Sequence, residues 1–217
     1  MSRGGLRTVG LLGGSFNPAH GGHRAIALFA KKALGLDEVW MMASPGNPLK
    51  DSADMAPLSA RFASAQEEAR RAPIRVTAIE RELGTVYSAE TLKMLKRRYP
   101  RYRFIWLMGA DNLAHFHEWR QWRDMARGMT IAVIARPGYD RAARGSPAMA
   151  WFRRFVRPVN QQKSWTTWRL PALVLLRFRP DPRSATLLRQ TAPLWHRTHV
   201  HASLRDGVTR RRIPSQE

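Results

Sequence analysis

The 217-residue chain contains no cysteine. Disulfides, thiolate metal ligands and a cysteine nucleophile are therefore excluded. Lysine is scarce as well, since all but six of the 37 basic residues are arginine. Acidic residues number only 16, which leaves a formal net charge of +21 at pH 7. No apolar run approaches the roughly 18 residues that a membrane span requires. The first residues make a poor signal peptide, because the apolar run before Asn17 is short and broken by glycines. Together these absences lead us to expect a soluble, cytoplasmic protein with no membrane partner.

The positive charge is uneven. Acidic residues thin out after Asp140, whereas arginine stays dense from Arg141 to Arg212. Such a field attracts nucleic acid, anionic surfaces or phosphorylated small molecules. Codon composition alone would also produce an arginine excess. The basic residues are neither interleaved with aromatics as on an RNA-recognition sheet nor grouped on a recognition helix. A basic nucleic-acid-binding protein is thus the weaker alternative, and no dedicated nucleic-acid partner is expected.

Apolar runs alternate with helical patterns along the chain. Leu6 to Leu12, Glu38 to Ala43, Ile74 to Ile79, Tyr102 to Met108, Thr130 to Ala135 and Ala172 to Phe178 read as short buried strands. Gly22 to Leu34, Leu58 to Arg71, Ser88 to Arg98 and Trp119 to Arg127 read as helices between them. Within the third helix, Leu92, Leu95 and Tyr99 fall on one face and Lys93, Lys96 and Arg97 on the other. Strand–helix alternation with short links predicts a single-domain α/β fold around a doubly wound, mostly parallel sheet. We assign it residues 1–190, with an irregular basic segment at 138–168, and expect 191–217 to be a basic, poorly ordered tail.

The most informative stretch runs from Gly13 to His23, Gly-Gly-Ser-Phe-Asn-Pro-Ala-His-Gly-Gly-His, directly after the first strand. Glycines leave backbone N–H groups bare, a helix start adds its positive end, and His20 and His23 add two imidazole donors. That combination suits phosphate oxygens. A given window would match Gly14, Phe16, Pro18, His20, Gly22 and His23 by chance on the order of once in 10^8 at average residue usage. A zinc site is disfavoured, since no third ligand stands at metal-binding spacing.

With this turn the chain resembles the nucleotidyltransferase superfamily marked by His-x-Gly-His, and within it the bacterial nicotinate-nucleotide adenylyltransferases. The resemblance runs from about residue 8 to 189. Its further landmarks are Ser44 to Lys50, Gly84 to Ser88, Gly109-Ala-Asp-Asn112 with Trp119 downstream, Arg136-Pro-Gly138 and Ser184 to Arg189. It implies a Rossmann-like fold and transfer of AMP from ATP to nicotinate mononucleotide. Relatives using nicotinamide mononucleotide or phosphopantetheine are the alternatives. The attacking phosphate belongs to the substrate, in keeping with a chain that shows no catalytic triad.

The resemblance also implies residue roles. His20 and His23 would be catalytic, holding ATP phosphates. Gly13, Gly14, Ser15, Phe16 and Gly22 would contact phosphates, as would Ser184, Thr186 and Arg189. The family more often carries Ile-Ser-Ser-Thr where this chain has Pro182-Arg183-Ser184-Ala185, and Ser184 also reads as a simple helix N-cap. Nicotinate mononucleotide would meet Lys50, Thr85 and Tyr87 (the latter two near the carboxylate, through backbone N–H groups), Asp111 at the ribose and Trp119 by stacking. Capping is the alternative for Asp111 and core packing for Trp119. Arg136 would touch nucleotide or serve structurally. ATP brings Mg2+, held mainly by phosphates and water. The partners implied are ATP and nicotinate mononucleotide, with room for a homodimer.

Overall fold

Strands that are largely apolar need cover on both faces, and the sheet meets that need. The computed structural model describes residues 6–46, 55–135, 140–178, 184–199 and 204–214. In chain order it runs β1 (Arg7–Gly14), α1 (Gly21–Leu34), β2 (Glu38–Ala43), α2 (Leu58–Ala69), β3 (Ile74–Thr77), α3 (Ile79–Leu83) and α4 (Ser88–Arg98). There follow β4 (Tyr102–Gly109), α5 (Ala110–His115), α6 (Trp122–Gly128), β5 (Thr130–Ile134), α7 (Asp140–Gly145) and α8 (Pro147–Phe152). The chain continues through β6 (Leu173–Leu176), α9 (Ala185–Thr191), β7 (Leu204–Arg205) and β8 (Arg212–Ile213). Every residue of β2 and of β5 is buried, the pattern of a sheet with helices on both sides.

Six strands form one sheet in the order β3-β2-β1-β4-β5-β6. Parallel pairing is explicit in Val39 opposite Ile74, Ile105 opposite Thr130, and Ile131 opposite Leu173. This is the doubly wound α/β fold that the alternation of apolar runs predicts. The strand order reverses beside β1, and ligands of such sheets lie beyond the carboxyl ends of strands at a reversal. The carboxyl end of β1 continues directly into the glycine-histidine turn. Among the described residues no helix is long and apolar enough to cross a membrane.

Packing divides the chain into two compact sets of residues. One comprises 1–11, 29–38 and 87–180. Its core gathers Ile105, Leu107, Ile131 and Val133 with Phe116 and Phe152, all at most 2% exposed. The indole N–H of Trp165 donates to the Leu34 carbonyl at 3.1 Å, fixing the segment after α8. Residues 140–167 are thus not irregular, which corrects the sequence expectation. Ser146 caps α8 by accepting the Met149 amide, with a proline at its first turn, and Ala143, Ala148 and Phe152 are buried. The capping and proline signals stand in the sequence, hidden among Arg, Gly and Trp.

The other set comprises residues 12–28, 39–86 and 181–217. Phe16, Trp40, Met41, Met42, Phe62 and Ile79 form its core, again at most 2% exposed. Here too the structure corrects an expectation, because the described residues 191–199 and 204–214 do not form an unstructured tail. Residues Trp195–His199 make a 3-10 turn, and β7 pairs antiparallel with β8, Leu204 opposite Ile213. Trp195, Leu204, Asp206 and Ile213 are all buried.

Candidate active site

The turn after β1 is built by side chains folding back on their own backbone. Phe16 adopts a positive φ of 48° and is buried. A Cβ on Gly14 would lie 3.1 Å from two atoms of the Phe16 ring, so glycine is what lets that ring close over the strand end. The ring then meets His23 edge-on, with centroids 5.1 Å apart.

His20 and His23 hold each other across the first turn of α1. His20 Nδ1 accepts the Gly22 amide at 3.1 Å, and His23 Nδ1 accepts the His20 amide at 3.2 Å. The His23 amide donates to the His20 carbonyl at 2.8 Å. The bond from the His20 amide to the His23 ring is one half of a capping box, with an imidazole in place of the carboxylate, while the His20 ring takes the Gly22 amide instead of that of His23. Because each ring accepts at Nδ1, each neutral imidazole carries its proton on Nε2. The ring centroids lie 4.0 Å apart. The first turn of α1 holds no acidic residue to offset its positive end. The arrangement gathers two imidazoles at a helix N-terminus, groups whose chemistry suits anionic oxygen.

Arg61, on α2, braces this turn and was not singled out by the sequence reading. It is 1% exposed. Its Nε donates to Ala56 O at 2.8 Å, its Nη1 to Ser15 O and Ser44 O at 2.8 Å each, and its Nη2 to Pro45 O at 3.3 Å. Burial pushes its pKa down to about 10, so the guanidinium stays cationic near neutrality. A usable signal was its place on the buried stripe of α2 with Leu58, Phe62 and Ala65. The Ser44 amide adds a bond to Gly14 O at 3.1 Å.

Residues after β6 reach the same set. Arg189 donates to the Asn17 carbonyl at 2.7 Å, and Asn17 Oδ1 accepts the Ala56 amide at 3.2 Å. Ser184 caps α9 by accepting the Leu187 amide at 3.1 Å, so the capping reading of this residue is realised. Thr186 and Arg189 line an open groove of about 520 Å3 together with Asn17, Trp195 and His196. The structure thus brings together Gly13, Gly14, Ser15, Phe16, His20, Gly22, His23 and Arg189, with Ser184 and Thr186 on the helix carrying Arg189.

Thr85 is buried in the same set, one residue past Gly84, whose φ of 64° ends α3. Its amide donates to the Glu80 carbonyl at 2.9 Å, and its hydroxyl reaches the same oxygen at 3.5 Å. The expectation that Thr85 presents its amide to a ligand is corrected on this point, because that N–H closes the end of α3.

In the other set, β4 ends at Gly109 and α5 begins at once. A Cβ on Gly109 would fall 2.2 Å from Asp111 Oδ1, so the glycine makes room for the carboxylate. The cap position of α5 is Gly109 itself, and Asp111 stands in the first turn. Trp119 meets Phe116 and Trp106 edge-on, with centroids 5.3 and 6.3 Å apart, and remains half-buried. It therefore has both a packed edge and an open side. Tyr87 precedes α4, with the Arg120 guanidinium 4.6 Å above its ring. The pairing with Arg120 carried no sequence signal. Lys50 and Arg136 lie outside the described residues.

Comparison with known proteins follows the same lines. Residues 11–191 match the family model described as cytidylyltransferase-like. A protein of Erythrobacter litoralis named "Probable nicotinate-nucleotide adenylyltransferase" is 60% identical over 208 residues, 96% of this chain and 94% of that protein. One of the same name from Parvibaculum lavamentivorans is 46% identical over 182 residues, 84% of this chain and 90% of its own. Among solved structures, Plasmodium falciparum nicotinic acid mononucleotide adenylyltransferase complexed with NaAD superposes with a TM-score of 0.62 at 14% identity, covering 85% of this chain and 83% of that one. At that identity the likeness is one of fold.

Proposed function

The chain belongs to the cytidylyltransferase-like family and, within it, to the nicotinate-nucleotide adenylyltransferases, and we propose that it transfers the adenylyl group of ATP to nicotinate mononucleotide. The observation that carries the reading is the His20–His23 pair, two imidazoles fixed through Nδ1 at the start of a helix whose first turn holds no acidic residue. A phosphate oxygen of nicotinate mononucleotide attacks the α-phosphorus of ATP. One P–O bond forms there, the bond between the α-phosphorus and the bridging oxygen breaks, and pyrophosphate leaves. The products are nicotinate adenine dinucleotide and pyrophosphate.

No protein nucleophile is needed, so the residues work by positioning and by stabilising charge. His20 and His23 donate to phosphate oxygens that gain negative charge as the bridging bond breaks. Backbone amides of Gly14, Ser15 and Phe16 and the start of α1 add to that field. Arg189 has one nitrogen on Asn17 O and further donors for the departing phosphates. In the other residue set we assign the open side of Trp119 to the pyridine ring, the Asp111 carboxylate to ribose hydroxyls, and the region of Tyr87 to the nicotinate group.

The donor set also fits Mg2+ carried in by the nucleotide. It consists of N–H groups, which bind phosphate oxygens and leave the metal to the triphosphate and water. Among the described residues no group of three or more His, Asp or Glu is arranged to hold a metal. When bound, the ion would neutralise part of the triphosphate charge.

Incubation of the purified protein with ATP, Mg2+ and one acceptor at a time tests the reading. Pyrophosphate release with nicotinate mononucleotide, weaker release with nicotinamide mononucleotide and none with phosphopantetheine is expected. Absence of release with both pyridine nucleotides would sink it.

A further inference from the structure

The C-terminal hairpin is tied to the segment that leads into Thr85. Asp206, at the end of β7, is 3% exposed. One carboxylate oxygen, Oδ2, accepts from the Thr77 hydroxyl at 2.9 Å and from the Ala78 amide at 2.8 Å. The other, Oδ1, accepts the Val208 and Thr209 amides at 2.8 and 2.9 Å. A single buried side chain thus closes its own hairpin turn and caps α3, whose cap residue Ala78 has no acceptor side chain. The Gly207 amide donates to Val76 O at 2.8 Å, and a Cβ there would come 2.8 Å from that oxygen. Arg211 Nε lies 3.6 Å from Glu82 Oε1, on the body of α3.

These contacts matter because α3 spans only five residues. A helix of that length does not hold itself in water. Its start is fixed by Asp206, its body is paired with Arg211, and its end is closed by the Thr85 amide on Glu80 O. The chain then passes through Val86, half exposed, to Tyr87.

We propose that the β7–β8 hairpin, through Asp206, is a positioning element for the acceptor, setting the α3–Thr85 turn and with it the selectivity for a nicotinate-type mononucleotide. The inference rests on the reading of the 84–87 turn as part of the acceptor region. Asp206 touches no substrate and acts through α3. Its loss therefore shifts acceptor binding and leaves ATP binding, which depends on the turn after β1, unchanged.

The test compares Asp206→Ala and Thr77→Val with the wild-type full-length protein. Steady-state kinetics are measured with both pyridine mononucleotides and with ATP, together with hydrogen–deuterium exchange of peptides covering 79–87 and 13–23. Asp206→Ala is expected to raise KM for nicotinate mononucleotide about tenfold, the scale of a lost hydrogen-bond cluster. KM for ATP stays within about twofold, the nicotinate-over-nicotinamide preference falls, and exchange quickens in 79–87 only. Equal rises in both KM values, or unchanged KM values with a lower kcat, indicate a merely structural role and overturn the proposal. So does unchanged exchange in 79–87. Should Asp206→Ala fail to fold, Thr77→Val removes a single donor and is read by the same criteria, with a shift of about threefold expected. If wild-type protein does not turn over nicotinate mononucleotide, the functional reading itself fails, and exchange still reports whether the hairpin holds α3.

Discussion

His23 accepts the main-chain amide of His20 at its Nδ1, 3.2 Å away. One ring atom thus serves the start of the helix, and in the neutral ring the proton sits on the opposite nitrogen. The two tasks separate by substitution. His23→Ala loses both, and turnover is expected to fall about 10^2- to 10^3-fold, the usual cost of one transition-state donor. Stability falls as well, by about 1 kcal/mol for the lost cap. His23→Asn keeps an acceptor for the His20 amide, so its unfolding midpoint is expected near wild type while turnover stays low. Parallel kcat and urea-unfolding measurements check this, and near-normal turnover in either variant contradicts the catalytic role.

How far the sequence could be read depended on how local the physics is. The strand–turn–helix at Gly13 to His23 was legible because the contacts between Gly14, Phe16, His20, Gly22 and His23 that shape it are local. Short apolar runs revealed the sheet for the same reason. Arg61 was not legible, since an arginine reads as solvated until its carbonyl partners from 15, 44, 45 and 56 are brought around it. The hairpin at 204–213 escaped because its anchor, Asp206 on Thr77 and Ala78, spans more than 120 residues. Two isolated apolar residues, Leu204 and Ile213, make no period. For Thr85, that its amide is taken up by Glu80 O is something spacing does not reveal.

Gly109 stands where a Cβ would fall 2.2 Å from Asp111 Oδ1. Gly109→Ala must therefore displace that carboxylate or the backbone beneath it. If Asp111 holds ribose hydroxyls, kcat/KM is expected to drop at least tenfold, by the loss of a charge-assisted hydrogen bond of about 1.5–3 kcal/mol. Asp111→Ala should lose a similar factor, and the double variant little more, since both remove one interaction. Additive losses in this cycle would dissociate the glycine from the carboxylate.

Asp37 is a local contributor to acid stability. Asp37 accepts the Thr8 amide at 2.7 Å and the Thr8 hydroxyl at 2.8 Å, which hold its carboxyl below the ordinary 3.8. A depressed folded pKa stabilises the fold at pH values above the unfolded pKa, and that contribution disappears as pH falls through the folded value. The Asp37→Asn variant is expected to unfold at a lower temperature than wild type at neutral pH. The gap should narrow as the pH is taken from about 5 to below 3.8. Thermal melts across that range decide the matter, and a constant gap would show that the ionised form is not what Thr8 stabilises.

The buried guanidinium of Arg61 makes a prediction about donor geometry rather than charge. Four carbonyls converge on it from segments around 15, 44–45 and 56. Arg61→Met keeps the volume of the stem and leaves those oxygens without their donors, so unfolding free energy is expected to fall on the order of 3 kcal/mol or more. Arg61→Lys preserves the cation, yet an ammonium has one nitrogen and cannot span four acceptors in a planar fork. It should recover only part of the lost stability, with the ATP KM raised in both variants because Ser15 is no longer pinned beside Phe16. Urea titrations with an unchanged slope, run beside ATP saturation curves, measure the two effects together. A lysine variant matching wild type in both would show that positive charge alone braces the turn, and the geometric account of Arg61 would fall.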